Sequence, residues 1–183
     1  MPFLPSLRAG SSLLDVFKTF PESSEPLIEF HEILLRGPSP FTEAERETIA
    51  AYVSGLNHCR YCHGVHTATA ERLGVPAGAV QQLVEGVDMA PVAEKMKPIL
   101  RYAEKLTRRP DGVTKADADA IFAVGWDETA LYRTVAVTAL FNFMNRLVEG
   151  LGIELDPAYV KPASQRLAER GYRPLIDMLR RAE

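Results

Sequence analysis

The sequence predicts an all-α fold, and three observations carry that expectation. Apolar residues recur at helical intervals of three and four along almost the whole chain. No run shows the alternating, β-branched pattern of a half-buried strand. Helix start and stop residues, such as Thr42 with Glu45, the Gly37-Pro38 pair, and Gly74 before Pro76, punctuate the periodic segments.

Each helix has its own local reason. After a proline-containing arm, Ser11 or Ser12 can cap a short helix over LLDVF, and PLIEFHEILLR is expected to open a second at Pro26 and end before Gly37 and Pro38. Thr42 and Glu45 form a capping box at the head of TEAERETIAAYVSGLN, where Ile49, Tyr52, Val53 and Leu56 make one apolar stripe. The next helix is expected to begin close to Cys59 and run to Leu73, with Gly74 as its stop and Pro76 opening another. Further helices are expected from Pro91 to Thr107, from Thr114 to Val124 and from Asp127 to about Leu151. The last of these is apolar on most sides in its first half and reads as the central buried helix. From Ser164 to Arg181 the pattern suits one or two short amphipathic helices broken at Gly171 and Pro174.

With 183 residues the chain suits one domain, 1–183, able to bury a core without staples. Its 46% apolar and 25% charged residues and net charge of −3 argue against disorder, and scattered Lys and Arg argue against nucleic-acid binding. The opening MPFLPSLRAG lacks a basic region followed by an apolar run, and no stretch approaches the ~18 to 20 apolar residues of a membrane helix, so a cytoplasmic location is expected. Two cysteines cannot make a disulfide framework, which points to a chemical use for the pair.

Both cysteines stand at Cys-x2-Cys spacing in AYVSGLNHCRYCHGVHTATAERLG. On a helix, Cys59, Cys62, His66, Thr69 and Leu73 fall on one stripe, so two sulfurs and an imidazole share a face. Cys59 lies at the helix start, where free backbone N–H groups favour a thiolate. Cys62 lies four residues before His66, which can accept its proton. The first argument favours Cys59 as the more reactive sulfur and the second Cys62. Either way the arrangement is that of a redox-active dithiol.

Glu47, eleven residues, Cys59, two residues, Cys62, three residues and His66 reproduce the Glu-x11-Cys-x2-Cys-x3-His signature. On these residues the chain resembles alkylhydroperoxidase D-like (AhpD-like) proteins of the carboxymuconolactone decarboxylase superfamily, and NHCRYCHGVHTATAERLG and NFMNRLVEGLGIELD resemble their peroxidase-related branch. The resemblance covers residues 26–155 or so. It implies an all-helical fold, homo-oligomers, and reduction of a hydroperoxide without metal or other cofactor, at the expense of a dithiol or thioredoxin-like electron donor. Carried across, Cys62 becomes the attacking thiol, Cys59 the resolving thiol, and His66 with Glu47 a proton relay. The best-known members carry histidine directly before the second cysteine, where this chain has Tyr61.

Other readings remain at this level. The cysteines could be small buried apolar groups, or zinc ligands with His66 and either Glu47 or His58. Glu47 lies opposite its helix's apolar stripe, beside Ala50, Ala51 and Ser54. Alone it would be a solvated glutamate; under a close second helix it becomes a buried acid facing the dithiol. His31 reads as a core-edge histidine, and Asn142, Asn145, Arg146 and Glu149 as mutual partners more than pocket residues. A dithiol electron carrier serving another peroxidase, or a non-catalytic redox-sensing scaffold, would use the same pair of cysteines.

Overall fold

The computed structural model describes residues 1–180. Among them are ten α-helices and no strand: α1 (Leu13–Thr19), α2 (Pro21–Leu35), α3 (Glu43–Leu56), α4 (Arg60–Arg72), α5 (Ala79–Glu85), α6 (Lys97–Arg108), α7 (Lys115–Ala123), α8 (Glu128–Gly150), α9 (Pro157–Arg170) and α10 (Arg173–Arg180). The all-α expectation holds. Short 3-10 turns precede α6 and α7.

Several boundaries follow the chemistry read from the sequence. Ser12 caps α1 in a capping box with Asp15, Thr42 and Glu45 do the same for α3, and Asp127 caps α8. Other boundaries differ. α2 starts at Pro21, not Pro26, because Pro21 occupies the first helical position, where a missing N–H costs nothing. The polar PESSE turn has no apolar periodicity to betray it, and Pro26 is carried inside the helix. The segment after Pro91 runs irregularly through a 3-10 turn before α6 begins at Lys97, and α5 begins at Ala79, three residues after Pro76. Pro174 lies in the first turn of α10 and does not break it; Gly171, at φ +64°, makes the break. Arg181, the expected end of the tail, lies outside the described residues.

The central helix is α3, not α8. Every residue from Arg46 to Leu56 is buried, because α4, α5, α6 and α8 pack around it. α8 presents an outer face on which Tyr132 is 63% and Phe143 53% exposed. The small residues of α3 permit this crowding. A Cβ on Gly55 would stand 2.5 Å from the Val84 side chain and 2.9 Å from the His63 ring. In Gly55→Ala the added methyl would meet these two side chains, and they or the helices that carry them must shift to admit it.

The junction between α3 and α4 sets Cys59 in place. His58 adopts φ +58°, its N–H bonds Gly55 O, and the Cys59 N–H bonds Ser54 O, which together form a Schellman ending. His58 thus fills a left-handed position usually taken by glycine, and the chain turns at once into α4 with Cys59 at its N-cap. His58 itself is exposed, whereas Cys59 beside it is buried.

α9 and α10 are more than peripheral additions. α9 packs along α4, and α10 packs on α2 and α1, so these elements close one side of the core. No helix of the described residues is long and apolar enough to cross a membrane.

Candidate active site

The stripe expected on α4 forms: Cys59, Cys62, His66 and Thr69 are all buried. Both cysteines are free thiols. Their environments differ in a way that spacing alone leaves open. Hydrogen bonding from Cys62 to the Cys59 sulfur outweighs burial and draws the Cys59 thiol below its usual value, with Glu149 acting weakly in the opposite sense. Cys62, the donor in that contact, is pushed well above its usual value by the same bond, by burial and by the neighbouring Cys59 charge; Asn145 partly offsets this. The pair therefore gives up one proton readily and shares the second between two sulfurs.

His66 stands one turn beyond Cys62. Its Nδ1 donates to Glu47 Oε2 over 2.7 Å, and the edge of its ring packs on Phe141 with centroids 4.6 Å apart. Fixing the proton on Nδ1 leaves Nε2 as the acceptor of the neutral ring.

Glu47 is a buried acid with no exposed surface, not the solvated glutamate its helix face alone suggested. Besides His66 it accepts from Arg36 Nη2 at 2.6 Å and Tyr172 Oη at 3.2 Å. Burial by itself would raise the carboxyl's pKa, but the charges and hydrogen bonds of His66 and Arg36 overcome it and hold the group below its usual range. Glu47 therefore stays ionised while buried. Arg36 follows the complementary pattern, with desolvation outweighed by Glu47, so its guanidinium stays charged. Arg36 also donates to Leu35 O and Leu167 O, and its guanidinium carbon lies 5.3 Å from the centre of the Tyr172 ring. Tyr172 is held neutral by burial and by the adjacent carboxylate, which suits it to donate.

Arg36 and Tyr172 were not legible in the sequence. Arg36 is the C-cap of α2, and Tyr172 sits in the α9–α10 connection, 125 residues from Glu47. No local spacing links either to the signature. His31 is also drawn in: it is buried, bonds Leu27 O at 2.8 Å, and packs on Tyr172 and Phe141. Burial lowers its pKa from 6.5 to about 4, so it is neutral at physiological pH.

Cys62 and His66 open on one cavity of about 60 Å³, with Leu13, Phe17, Phe141 and Leu175 supplying much of its apolar wall. Cys59 does not line it. Of the partners expected among Asn142, Asn145, Arg146 and Glu149, Arg146 bonds Asn142, whereas Asn142 and Asn145 are joined only through Asn57, which donates to both, and Asn145 donates to Ser54. Glu149, expected among those partners, instead lies near enough to Cys59 to perturb its thiol. Among the described residues no three His, Cys, Asp or Glu side chains are disposed to hold a metal ion. Glu47 spends its oxygens on Arg36, His66 and Tyr172 instead.

The chain thus combines a helical fold, a reduced dithiol at the start of one helix and a buried carboxylate–imidazole pair behind it. Residues 21–105, the span of α2 to most of α6, match the model of the carboxymuconolactone decarboxylase family. An uncharacterized peroxidase-related protein from Silicibacter sp. TM1040 is 26% identical, with a TM-score of 0.75 over 81% of this chain and 78% of that one. An AhpD-core, peroxidase-related protein from Ralstonia eutropha JMP134 shares the fold at 22% identity and a TM-score of 0.74, over 79% and 76% of the two chains. The fold also recurs in a cysteine-to-alanine variant of the debrominase Bmp8 in complex with 2,3,4-tribromopyrrole, at 16% identity and a TM-score of 0.67, covering 91% and 81%. No curated protein matches the sequence.

Proposed function

We propose that this chain is a thiol-dependent peroxidase that reduces hydroperoxides through Cys62 and Cys59. The observation that carries the reading is the shared cavity: Cys62 opens on it beside His66, whose ring is anchored through Nδ1 to an ionised, buried Glu47. Cys59 has the more acidic thiol, but it stands behind Cys62 and does not meet the cavity. Acidity and access are thus divided between the two sulfurs, and access selects Cys62 as the attacker.

The steps balance without a further reactant. The Cys62 proton passes to His66 Nε2, leaving a Cys62 thiolate in the cavity. The thiolate attacks the outer peroxide oxygen; the O–O bond breaks as the S–O bond forms, and the alkoxide takes a proton from His66 to leave as the alcohol. Cys62 is then a sulfenic acid. The Cys59 sulfur displaces its oxygen, the Cys59 thiol proton leaves with that oxygen as water, and a disulfide closes between residues 59 and 62. The dithiol has lost two electrons and the peroxide has gained them. Glu47 stabilises His66 whenever that ring carries the extra proton, and Arg36 and Tyr172 hold the carboxylate in line as positioning residues.

A second dithiol, on a small molecule or a thioredoxin-like protein, restores the reduced pair, and a reducing compartment such as the cytoplasm suits that cycle. The exposed Tyr132 and Phe143 of α8, with Phe30 and Ile33 of α2, suit an interface between copies in a homo-oligomer.

Stopped-flow mixing of the reduced protein with tert-butyl hydroperoxide tests the reading. One alcohol released per chain in a first turnover, with sustained turnover once a dithiol is supplied, is the expected result. Disulfide formation with no dithiol-driven turnover would instead identify a redox-sensing scaffold. Dithiol exchange without peroxide consumption would identify an electron carrier.

A further inference from the structure

The cavity beside Cys62 has a second polar feature that the peroxidase steps leave unused. Arg166, on α9, lines the same cavity as Cys62 and His66. Its Nη2 donates to Tyr159 Oη at 3.1 Å, while its buried Nε has no hydrogen-bond partner. Among the described residues it enters no ion pair within 4.0 Å. A half-buried guanidinium with an orphaned donor pays for desolvation and receives no carboxylate in return. Arg36, which does not line this cavity, shows the contrast: its Nε also lacks a hydrogen bond, but its guanidinium is paired with Glu47 at 2.6 Å.

Arg166 is held by Tyr159, whose ring packs against that of Tyr61. The Tyr61 and Tyr159 rings stack with centroids 6.0 Å apart, and the Tyr61 hydroxyl, kept neutral by burial and by Tyr159, sits in the same polar group. Tyr61 directly precedes Cys62, so this cluster and the thiol share one end of α4. The rest of the wall is aliphatic and aromatic.

We propose that Arg166, steadied by Tyr159, binds the carboxylate of a short-chain organic hydroperoxide whose peroxide end meets Cys62. The inference rests on the peroxidase reading for the peroxide end only. Arg is suited to the task because its planar fork offers two parallel donors to a carboxylate. The cavity volume of about 60 Å³ fits roughly four to six water-sized groups. That is the size of a hydroperoxy acid with a few carbons, not of a long acyl chain.

The test separates the anchor from the chemistry. Butanoate and its neutral isostere butanamide are titrated into the reduced full chain by ligand-observed NMR, which requires no turnover. Butanoate is expected to bind about tenfold tighter or more than butanamide. Arg166→Gln should erase the difference, Arg166→Lys should keep part of it, and Tyr159→Phe should weaken butanoate alone. Equal binding of the two probes to the wild type, or a preference unchanged in Arg166→Gln, overturns the proposal. In turnover, a short hydroperoxy acid should exceed its methyl ester in kcat/KM by a similar factor, and Arg166→Gln should lower the acid's value while sparing the ester's. Carboxylate preference in binding without peroxide turnover would sustain the anion site and remove the peroxidase reading instead.

Discussion

Replacing Glu47 with glutamine tests the buried network at its centre. The side chain is nearly isosteric, so packing is kept and the charge alone is removed. Three donors now converge on an amide that offers one acceptor oxygen and adds two N–H groups, where the carboxylate accepted from His66 at 2.7 Å, Arg36 at 2.6 Å and Tyr172 at 3.2 Å. Arg36, with 7% of its side chain exposed, keeps its charge without its buried partner. Breaking a buried ion pair by removing one member costs about 3 to 5 kcal/mol. Arg36 retains Leu35 O, Leu167 O and Glu43 at 3.5 Å, which places the loss at the lower end, about 3 kcal/mol. For a chain of this length that is a fall in Tm of roughly 6 to 12 °C. The pH dependence follows the same logic. A carboxyl held below its usual pKa stabilises the fold fully above the unfolded value, near ~4.3, and loses that contribution as pH falls through the folded one. Urea titrations at pH 7 and at steps below pH 5 should therefore show a wild-type acid decline that Glu47→Gln lacks. The first oxidation should also slow by ~10²-fold as His66 loses its counter-charge. A variant within about 0.5 kcal/mol of wild type at pH 7 would refute the network and return Glu47 to a solvated glutamate.

Cys62→Ser should abolish peroxide reduction, whereas Cys59→Ser should allow one oxidation per chain and no turnover, both read by stopped-flow peroxide consumption; the reverse pattern would make Cys59 the attacker. Mild peroxide on the wild type should remove two hydrogens from the peptide spanning both cysteines, visible by mass spectrometry, and separate stable sulfenic acids would deny Cys59 its resolving role. His31, whose pKa falls from 6.5 to about 4 on folding, binds its proton more weakly in the folded state, so stability should drop by about 3 kcal/mol as pH falls from 6.5 to 4. His31→Leu should flatten denaturation midpoints across that window; an unchanged slope would mean the ring titrates normally.

The sequence by itself determined what lies within one helix or one turn. The Ser12 and Thr42 caps, the run of helices, and the Cys59–Cys62–His66 stripe all depend on residues a few positions apart, where backbone geometry dictates the neighbours. The α2 start was lost for the same reason in reverse, because PESSE has no apolar period to mark it. What covers a helix face is a different matter. Periodicity put Glu47 opposite the stripe of Ile49, Tyr52, Val53 and Leu56, and only the packing of α4 and the α9–α10 connection decided that this second face is buried too. Arg36, Tyr172 and Arg166 reach the site from the end of α2, from that connection and from α9. Only in the assembled structure do a carboxylate, a guanidinium and a phenol from distant segments come close enough, with water removed, for each to set the charge of the others.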